Sequence, residues 1–167
     1  MEQNNKEAHR ELRKILVLRG LQGSGKSTYA KEWINKDPDN RIRFNRDDIR
    51  NMLGKYWVPS RENLIDNMYW NMLEQATALG YDIVIDNMNL NEKYITEIKE
   101  FIKETNQWLN KSSVNYQYDI EIKDFFHIPL QVCIDRDAQR ENPIGEKVIR
   151  STFNKYKDKI IPWRYLI

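Results

Sequence analysis

Eight residues constrain this chain more than any others: Gly20, Leu21, Gln22, Gly23, Ser24, Gly25, Lys26 and Ser27, spaced G-x-x-x-x-G-K-S. They follow the apolar run Ile15 to Leu18 and precede a helix-like segment that starts at Thr28. Glycines at 20, 23 and 25 let the backbone fold back with its N–H groups pointing inward, where a polyphosphate accepts several hydrogen bonds. Lys26 is placed to reach the β- and γ-phosphates, the Ser27 hydroxyl to hold Mg²⁺, and the following helix adds the partial positive charge of its N-terminus. The stretch reads as a nucleoside triphosphate site, with Thr28 at its exit.

The remainder of the chain alternates strand-like and helix-like segments. Ile15–Leu18 is wholly apolar, as a strand covered on both faces must be, and is expected to be the middle strand. A helix over 27–35 ends at the turn Asp37-Pro38-Asp39-Asn40, and a second strand over 42–45 delivers Asn45-Arg46-Asp47-Asp48-Ile49-Arg50 at its carboxyl end. A short helix over 48–53, a loop with Tyr56 and Trp57, and a long helix over 62–79 follow, the last stopped by Gly80. A third strand, Ile83–Ile85, ends in Asp86-Asn87-Met88-Asn89-Leu90, and a helix covers 91–105. Residues 106–118 read as an irregular connection and 119–126 as a peripheral fourth strand. Helices over 129–140 and 146–159 come next, and 162–167 is left as a terminal strand or docked tail. Strands separated by helices predict a three-layer α/β domain with a parallel sheet. At 167 residues, one domain over 15–167 is expected, preceded by a polar tail over 1–14 that is frayed or loosely helical.

Composition narrows the setting. A single cysteine, Cys133, offers no internal disulfide and no zinc cluster, which points to the cytoplasm. The apolar runs are too short to span a membrane, and the opening residues lack the apolar core of a secretory signal. Net charge is only +2, so the distribution of charge matters more than its total. From Arg41 to Arg61, six basic residues (Arg41, Arg43, Arg46, Arg50, Lys55, Arg61) face two acidic ones, Asp47 and Asp48. That side of the site is expected to be electropositive, with Tyr56 and Trp57 available to stack on bases.

A phosphate loop specifies a triphosphate but not a reaction, so the other groups near the γ-phosphate decide the chemistry. Asp47 follows the second strand, where it could take a proton from an attacking hydroxyl, and Arg50 lies one helical turn further on the same face. One of Asp47 and Asp48 is expected to cap the short helix and the other to be functional. Asp86 closes the third strand where a carboxylate would meet the Mg²⁺ shell, with loop capping through Asn87, Asn89 and Asn91 as the other reading. Arg136 and Arg140 are four apart and could close on a polyphosphate from one helix face, or form a solvated face with Asp135, Asp137 and Glu141. His9 and His127 stand alone and are read as structural or solvated.

Taken together, GLQGSGKS, NRDDIR after the second strand, DNMNLN after the third and R-x-x-x-R in a late helix resemble the 5′-hydroxyl polynucleotide kinase domain of phage-type end-repair enzymes. The resemblance runs from about Ile15 to Tyr156 and implies a P-loop kinase fold with a helical lid, ATP or another nucleoside triphosphate as donor, and Mg²⁺. It implies Lys26 and Ser27 on the phosphates and metal, Asp47 as general base on the 5′-OH, and Arg50 on the phosphate of the acceptor's terminal nucleotide. It further implies Asp86 and Asn87 on the acceptor side and Arg140, supported by Arg136, as the lid arginine. The acceptor would be a 5′-OH end of RNA or DNA, and a ligase or another repair enzyme a partner. The third-strand motif departs from the usual pattern in carrying Met88 in place of a threonine. No D-x-D-x-T phosphatase motif occurs, so no 3′-phosphatase activity is expected. The competing expectations are a small-molecule kinase of the same fold class and a nucleotide-gated module without phosphoryl transfer.

Overall fold

The computed structural model describes residues 10–160. Four parallel strands form one sheet in the order β2-β3-β1-β4. The strands are β1 (Glu11–Arg19), β2 (Arg41–Phe44), β3 (Asp82–Ile85) and β4 (Tyr116–Asp124). Six helices accompany them among the described residues: α1 (Lys26–Asn35), α2 (Arg46–Met52), α3 (Glu62–Ala78), α4 (Glu92–Lys111), α5 (Leu130–Ala138) and α6 (Glu146–Tyr156).

The strand sequences explain the layers. Successive side chains on a strand face opposite ways, and Ile15 and Val17 of β1 with Ile83 and Ile85 of β3 pack with Ile65, Leu73, Ile98 and Ile102 from α3 and α4. Leu16, Leu18 and Val84 point the other way, onto Ala30, Trp33 and Ile34 of α1. A further cluster ties Leu21 and Leu90 to Cys133, Ile134 and Ile149 of α5 and α6. This is the expected three-layer α/β architecture, with β1 as one of its two inner strands.

The structure corrects several boundaries. Glu11–Lys14, assigned to a polar tail, belong to β1, which pairs with β4 along its whole length but with β3 only at Ile15–Val17. Those four residues have a strand neighbour on one side only, and three of them are charged, which hides the strand in the sequence. Residues 106–111, assigned to a surface connection, extend α4 to Lys111. Leu109 there is fully buried. Asn106, which reads as a breaker, instead donates to the Tyr118 carbonyl at 2.8 Å and accepts from the Tyr118 N–H at 2.8 Å, closing the free edge of β4. β4 accordingly starts at Tyr116 rather than 119. Residues 1–9, including His9, and the segment 162–167 lie outside the described residues.

The carboxyl ends of the strands are stitched together. Gly20 N–H donates to the Met88 carbonyl at 3.0 Å, Asp86 N–H to Phe44 at 2.9 Å and Phe125 N–H to Arg19 at 2.8 Å. The loops that carry Lys26, Asp47 and Asp86 thus share one end of the sheet, the end at which open α/β sheets bind ligands.

Candidate active site

The loop from Gly20 to Gly25 leaves β1 and enters α1 through Gly25, whose φ of 98° lies in the left-handed region. The tightest position is Gly23, with φ 78°. A Cβ there would stand 2.1 Å from the carbonyl oxygen of Cys133, so only glycine lets the loop lie against α5. Ser24 is buried and Ser27 and Thr28 are exposed at the head of α1.

Lys26 is only 7% exposed, and its ammonium folds back to donate to the carbonyls of Gly20 at 2.8 Å and Leu21 at 2.6 Å, with Ser24 Oγ at 3.4 Å. Burial pulls its pKa down to about 8, against the opposing pull of Asp86 and, more weakly, Asp47. Arg140 adds to the lowering. Three charges from β2–α2, β3 and the segment after α5 therefore act on one ammonium. Asp47, Asp86 and Arg140, distant in the sequence, thus lie near enough to the phosphate loop to act on its lysine.

On the donor side, Gly23, Gly25, Thr28, Arg136 and Arg140 line a cavity of about 480 Å³ together with Tyr29, Glu32 and Gln139. α5 ends at Ala138, two residues earlier than the sequence predicts, so Arg140 lies just beyond the helix rather than on its face. Both arginines still reach the cavity. Arg136 Nη1 would be 3.7 Å from a Cβ on Gly25. Arg140 is half-exposed and pairs at 3.3 Å with buried Asp137, which also accepts from the Gly145 N–H at 2.9 Å.

On the other side, the cap of α2 is neither aspartate. Asn45 accepts from the N–H groups of Asp47 at 2.7 Å and Asp48 at 3.4 Å, and the helix starts at Arg46. Both acidic side chains are thereby free for other contacts. Asp47 Oδ1 accepts from Arg50 Nη1 at 2.7 Å and from the Tyr56 hydroxyl at 2.8 Å, and neither contact uses Oδ2. Asp48 accepts from Arg43 Nη1 at 2.5 Å. Partial burial and the Asp47 carboxylate push the Tyr56 hydroxyl up to about 12, so it remains a donor at neutral pH.

Glu62, at the start of α3, was not singled out from the sequence, and it changes the reading of Arg50. Its two oxygens receive Arg50 Nε at 3.0 Å and Nη2 at 2.6 Å, a bidentate pair that holds the glutamate below its usual carboxylate range. The sequence signal for it is an acidic residue in a helix first turn, at the end of the helix that faces the loops. The expected electropositive side is corrected by the same elements. Arg46 pairs with Asp66 of α3 at 2.8 Å and lies over the Tyr69 ring at 3.9 Å. Arg43 bridges Asp48 and Asp86, and Arg41 and Arg61 donate to the Trp33 and Leu53 carbonyls at 3.0 and 2.9 Å. Carboxylates supplied by α3 and β3 neutralise most of what a linear count leaves positive.

Asp86 is 2% exposed; Oδ2 accepts from Arg43 Nε at 2.7 Å, whereas Oδ1 is buried without a hydrogen-bond partner. Asn87 acts as a brace, accepting from the Arg46 N–H at 3.0 Å and facing the Tyr69 hydroxyl at 3.5 Å. Asn89, with φ 49°, is 4% exposed and donates to the Leu18 carbonyl at 2.7 Å, tying the third-strand loop to β1. No cluster of three or more His, Cys, Asp or Glu side chains that could cage a metal occurs among the described residues. This sparse donor set would suit Mg²⁺ that takes most of its ligands from phosphate and water, and the residues that would hold it are Ser27, through its exposed hydroxyl, and Asp86, through its orphaned oxygen. His127 stacks on Phe125 at 6.3 Å between ring centres.

Residues 15–162 match the family described as an AAA domain. The chain belongs to that family. It is 25% identical over 158 residues to a protein of Autographa californica nuclear polyhedrosis virus named as a bifunctional polynucleotide kinase/RNA ligase, a match covering 86% of this chain and 21% of that protein. It is 22% identical over 145 residues to the L-seryl-tRNA(Sec) kinase of Methanococcus maripaludis, covering 85% of this chain and 52% of the relative. Thus the chain spans about a fifth of the viral relative and about half of the archaeal one. Among solved structures, a chain of the Pnkp1/Rnl/Hen1 RNA repair complex superposes with a TM-score of 0.71 at 25% identity, covering 93% of this chain and 48% of that one. A gluconokinase from Sinorhizobium meliloti 1021 shares the fold at TM-score 0.50 and 14% identity, covering 89% of this chain and 78% of that one. The fold is that of the P-loop kinases. No helix among the described residues is long and apolar enough to cross a membrane.

Proposed function

We propose that this domain is a 5′-hydroxyl polynucleotide kinase, transferring the γ-phosphate of ATP to a 5′-OH end of RNA or DNA during end repair. The observation that carries the reading is that Asp47 and Asp86 follow strands at the same end of the sheet as the Lys26 loop, while Arg136 and Arg140 share a cavity with Gly23 and Gly25 of that loop. The charges of Asp86, Arg140 and Asp47 also act on the ammonium proposed to bind the γ-phosphate, which supports a base and a lid cation around one phosphoryl group. A nucleotide-gated module has no use for a carboxylate so placed.

In this mechanism the loop N–H groups and Lys26 bind the donor phosphates, and Arg136 and Arg140 cover them from the far wall of the cavity. Mg²⁺, when bound, neutralises charge on the β- and γ-phosphates. Arg50 and the Tyr56 hydroxyl fix Asp47 through Oδ1, so Oδ2 is the oxygen that takes the acceptor's proton. As that proton leaves, the acceptor oxygen bonds to the γ-phosphorus, the bond from phosphorus to the β–γ bridging oxygen breaks, and ADP departs. Arg140 adds positive charge where the transition state gains negative charge, the usual source of most of the acceleration in such reactions. Arg50 reads the phosphate next to the acceptor hydroxyl, exchanging part of its Glu62 contact for it. Asp86 and Asn87 hold the acceptor-side loop in place. A ligase that consumes the 5′-phosphate product is the partner this reading implies, and no 3′-phosphatase activity is assigned to this chain.

A second reading has its own support. The pairing of Arg43, Arg46 and Arg50 with carboxylates leaves the acceptor side close to neutral, as a small alcohol acceptor would require. γ-Labelled ATP with 5′-OH RNA and DNA oligonucleotides, nucleoside 3′-monophosphates and a panel of sugars separates the two. Transfer to oligonucleotides, lost in Asp47→Asn and Arg140→Ala but with oligonucleotide binding retained, is the expected result. Transfer only to sugars overturns the proposal.

A further inference from the structure

Away from the phosphate loop, α3 and α4 run side by side and leave a groove of about 860 Å³ between them. Its floor is aromatic. Trp70 meets Phe101 at 5.5 Å between ring centres, and Trp108 stands 55% exposed at the far end. Its rim is anionic. Glu74 comes from α3 and Glu97, Glu100 and Glu104 from α4, and no lysine or arginine lines the groove. Of these four, only Glu97 forms an ion pair among the described residues, with Lys93 at 3.6 Å. Lining residues run from Thr96 to Trp108, about 18 Å at the α-helical rise, or roughly three turns.

We propose that this groove is a docking site for a cationic amphipathic helix of a partner polypeptide, whose apolar stripe lies on the Trp70, Phe101 and Trp108 rings and whose lysines or arginines face the glutamates. The occupant follows from chemistry. Four carboxylates around an apolar floor repel phosphate backbones and anionic lipid headgroups and attract a helix of opposite charge, the helix-in-groove mode of recognition. The length suits about 12 helical residues with anchors at i, i+3, i+4 and i+7.

The residues of this sequence on either side of the described ones do not match that chemistry. The nine residues before Arg10 hold one lysine against two glutamates and no apolar stripe. The seven after Ile160 hold one arginine and are fewer than the roughly 12 residues that would fill the groove. The chain's own basic helix, α6, already uses Ile149, Phe153 and Tyr156 in the cluster beside the phosphate loop. The inference does not depend on the identity of the phosphoryl acceptor.

The probe is an acetylated, amidated, fluorescein-labelled peptide of about 14 residues, with leucine and tryptophan at the anchor positions and lysine elsewhere. A second peptide carries the same stripe with glutamate in place of lysine. Anisotropy with the whole chain should show saturable binding of the lysine peptide, weakened by salt, and none of the glutamate peptide. Glu74→Lys/Glu100→Lys and Trp108→Ala should each weaken binding about tenfold or more, while phosphoryl transfer and thermal melting stay unchanged. Asp39→Lys/Asp119→Lys, with the same charge change on the other face of the sheet, should bind as the parent does.

Three results overturn the proposal. The first is equal binding of both peptides, or equal weakening by both double variants, which would mean attraction to net charge alone. Binding that appears only when residues 1–9 are deleted would make the chain's own segment the occupant. A dimer that dissociates in the groove variants would make it a second copy.

Discussion

Lys26, proposed to bind the donor phosphates, is charged at a cost to the free protein, and Lys26→Met measures that cost. The side chain is 7% exposed and its pKa is lowered by burial from 10.5 to about 8. At about 1.4 kcal/mol per pH unit, carrying the charge at neutral pH costs the folded state about 3 kcal/mol. Methionine keeps the apolar stem and removes the charge, but it leaves the Gly20 and Leu21 carbonyls without their donor, a loss of about 1 kcal/mol for the pair once water reaches them. The variant should therefore be more stable than the parent by about 2 kcal/mol at pH 7, a rise in Tm of about 4–8 °C for a chain of this length.

The pH dependence follows from the same shift. Between about 8 and 10.5 the unfolded chain holds a proton on Lys26 that the folded chain has released. Parent stability therefore gains from this group across that window, whereas the variant has nothing to titrate. Its advantage should be full below pH 8, shrink through the window and give way above it to a deficit of about 1 kcal/mol, the loss at the two carbonyls that does not titrate. Urea unfolding of both proteins at stepped pH reads the difference directly, since all other groups are shared. A triphosphate restores the charge, so donor binding near pH 9 should take up a proton, seen by calorimetry in buffers of different ionisation enthalpy, and methionine should abolish that uptake. A variant less stable than the parent at pH 7, or an advantage that stays constant through the window, refutes the reasoning.

Three further outcomes are expected. Gly23→Ala should fold but lose donor affinity by about 100-fold or more in calorimetry, because a Cβ 2.1 Å from the Cys133 carbonyl forces the loop off α5 and misplaces its N–H groups; affinity within threefold of the parent would mean the loop accommodates it. Tyr56→Phe removes a donor from Asp47 Oδ1 and should lower kcat about tenfold with the KM for ATP unchanged, and a shift confined to that KM would place Tyr56 on the donor side. Arg43→Ala leaves the Asp86 carboxylate, whose side chain is 1% exposed, without its partner, and should cost about 3 kcal/mol in urea unfolding. Adding Asp86→Asn should recover part of that loss, and no recovery would mean that the arginine acts through Asp48 instead.

What was legible in the sequence is what depends on neighbours along the chain. The phosphate loop is contiguous, and its glycines are needed for backbone reasons that the motif states. The placement of Asp47 and Asp86 after strands, and so at one end of the sheet, follows from strand assignment alone. What was not legible depends on partners brought in by packing. Glu62 and Asp66 sit in a helix whose apolar stripe was clear, but nothing local says that this helix starts beside Arg46 and Arg50. Asn45 was readable as a cap only by someone who began the helix two residues earlier. Strand edges were misread wherever a strand had one neighbour rather than two, as at Glu11–Lys14, and Asn106 continued a helix because its side chain served an edge strand.

The free protein pairs every cation proposed to handle phosphate, except Arg136, with a group of its own: Lys26 with two loop carbonyls, Arg50 with Asp47 and Glu62, Arg140 with Asp137. Ligand binding is then an exchange of partners rather than the filling of a positive void, and affinity is the difference between two sets of interactions. That difference is unequal across the site. The Lys26 contacts are neutral carbonyls around a destabilised charge, so a triphosphate gains much from replacing them. Arg50 already holds a bidentate carboxylate in charge-assisted hydrogen bonds, so an acceptor phosphate gains little unless it brings more charge or better geometry than Glu62. A tight donor and a weak, exchangeable acceptor would suit the proposed kinase, which must release a modified end after each turnover. Glu62 sets that balance, because Glu62→Gln frees part of Arg50 without removing it. The acceptor KM of a substrate with a phosphate beside its 5′-OH should fall in that variant, while an acceptor lacking the phosphate should show no change, and equal effects on the two would show that Arg50 positions Asp47 and reads no phosphate.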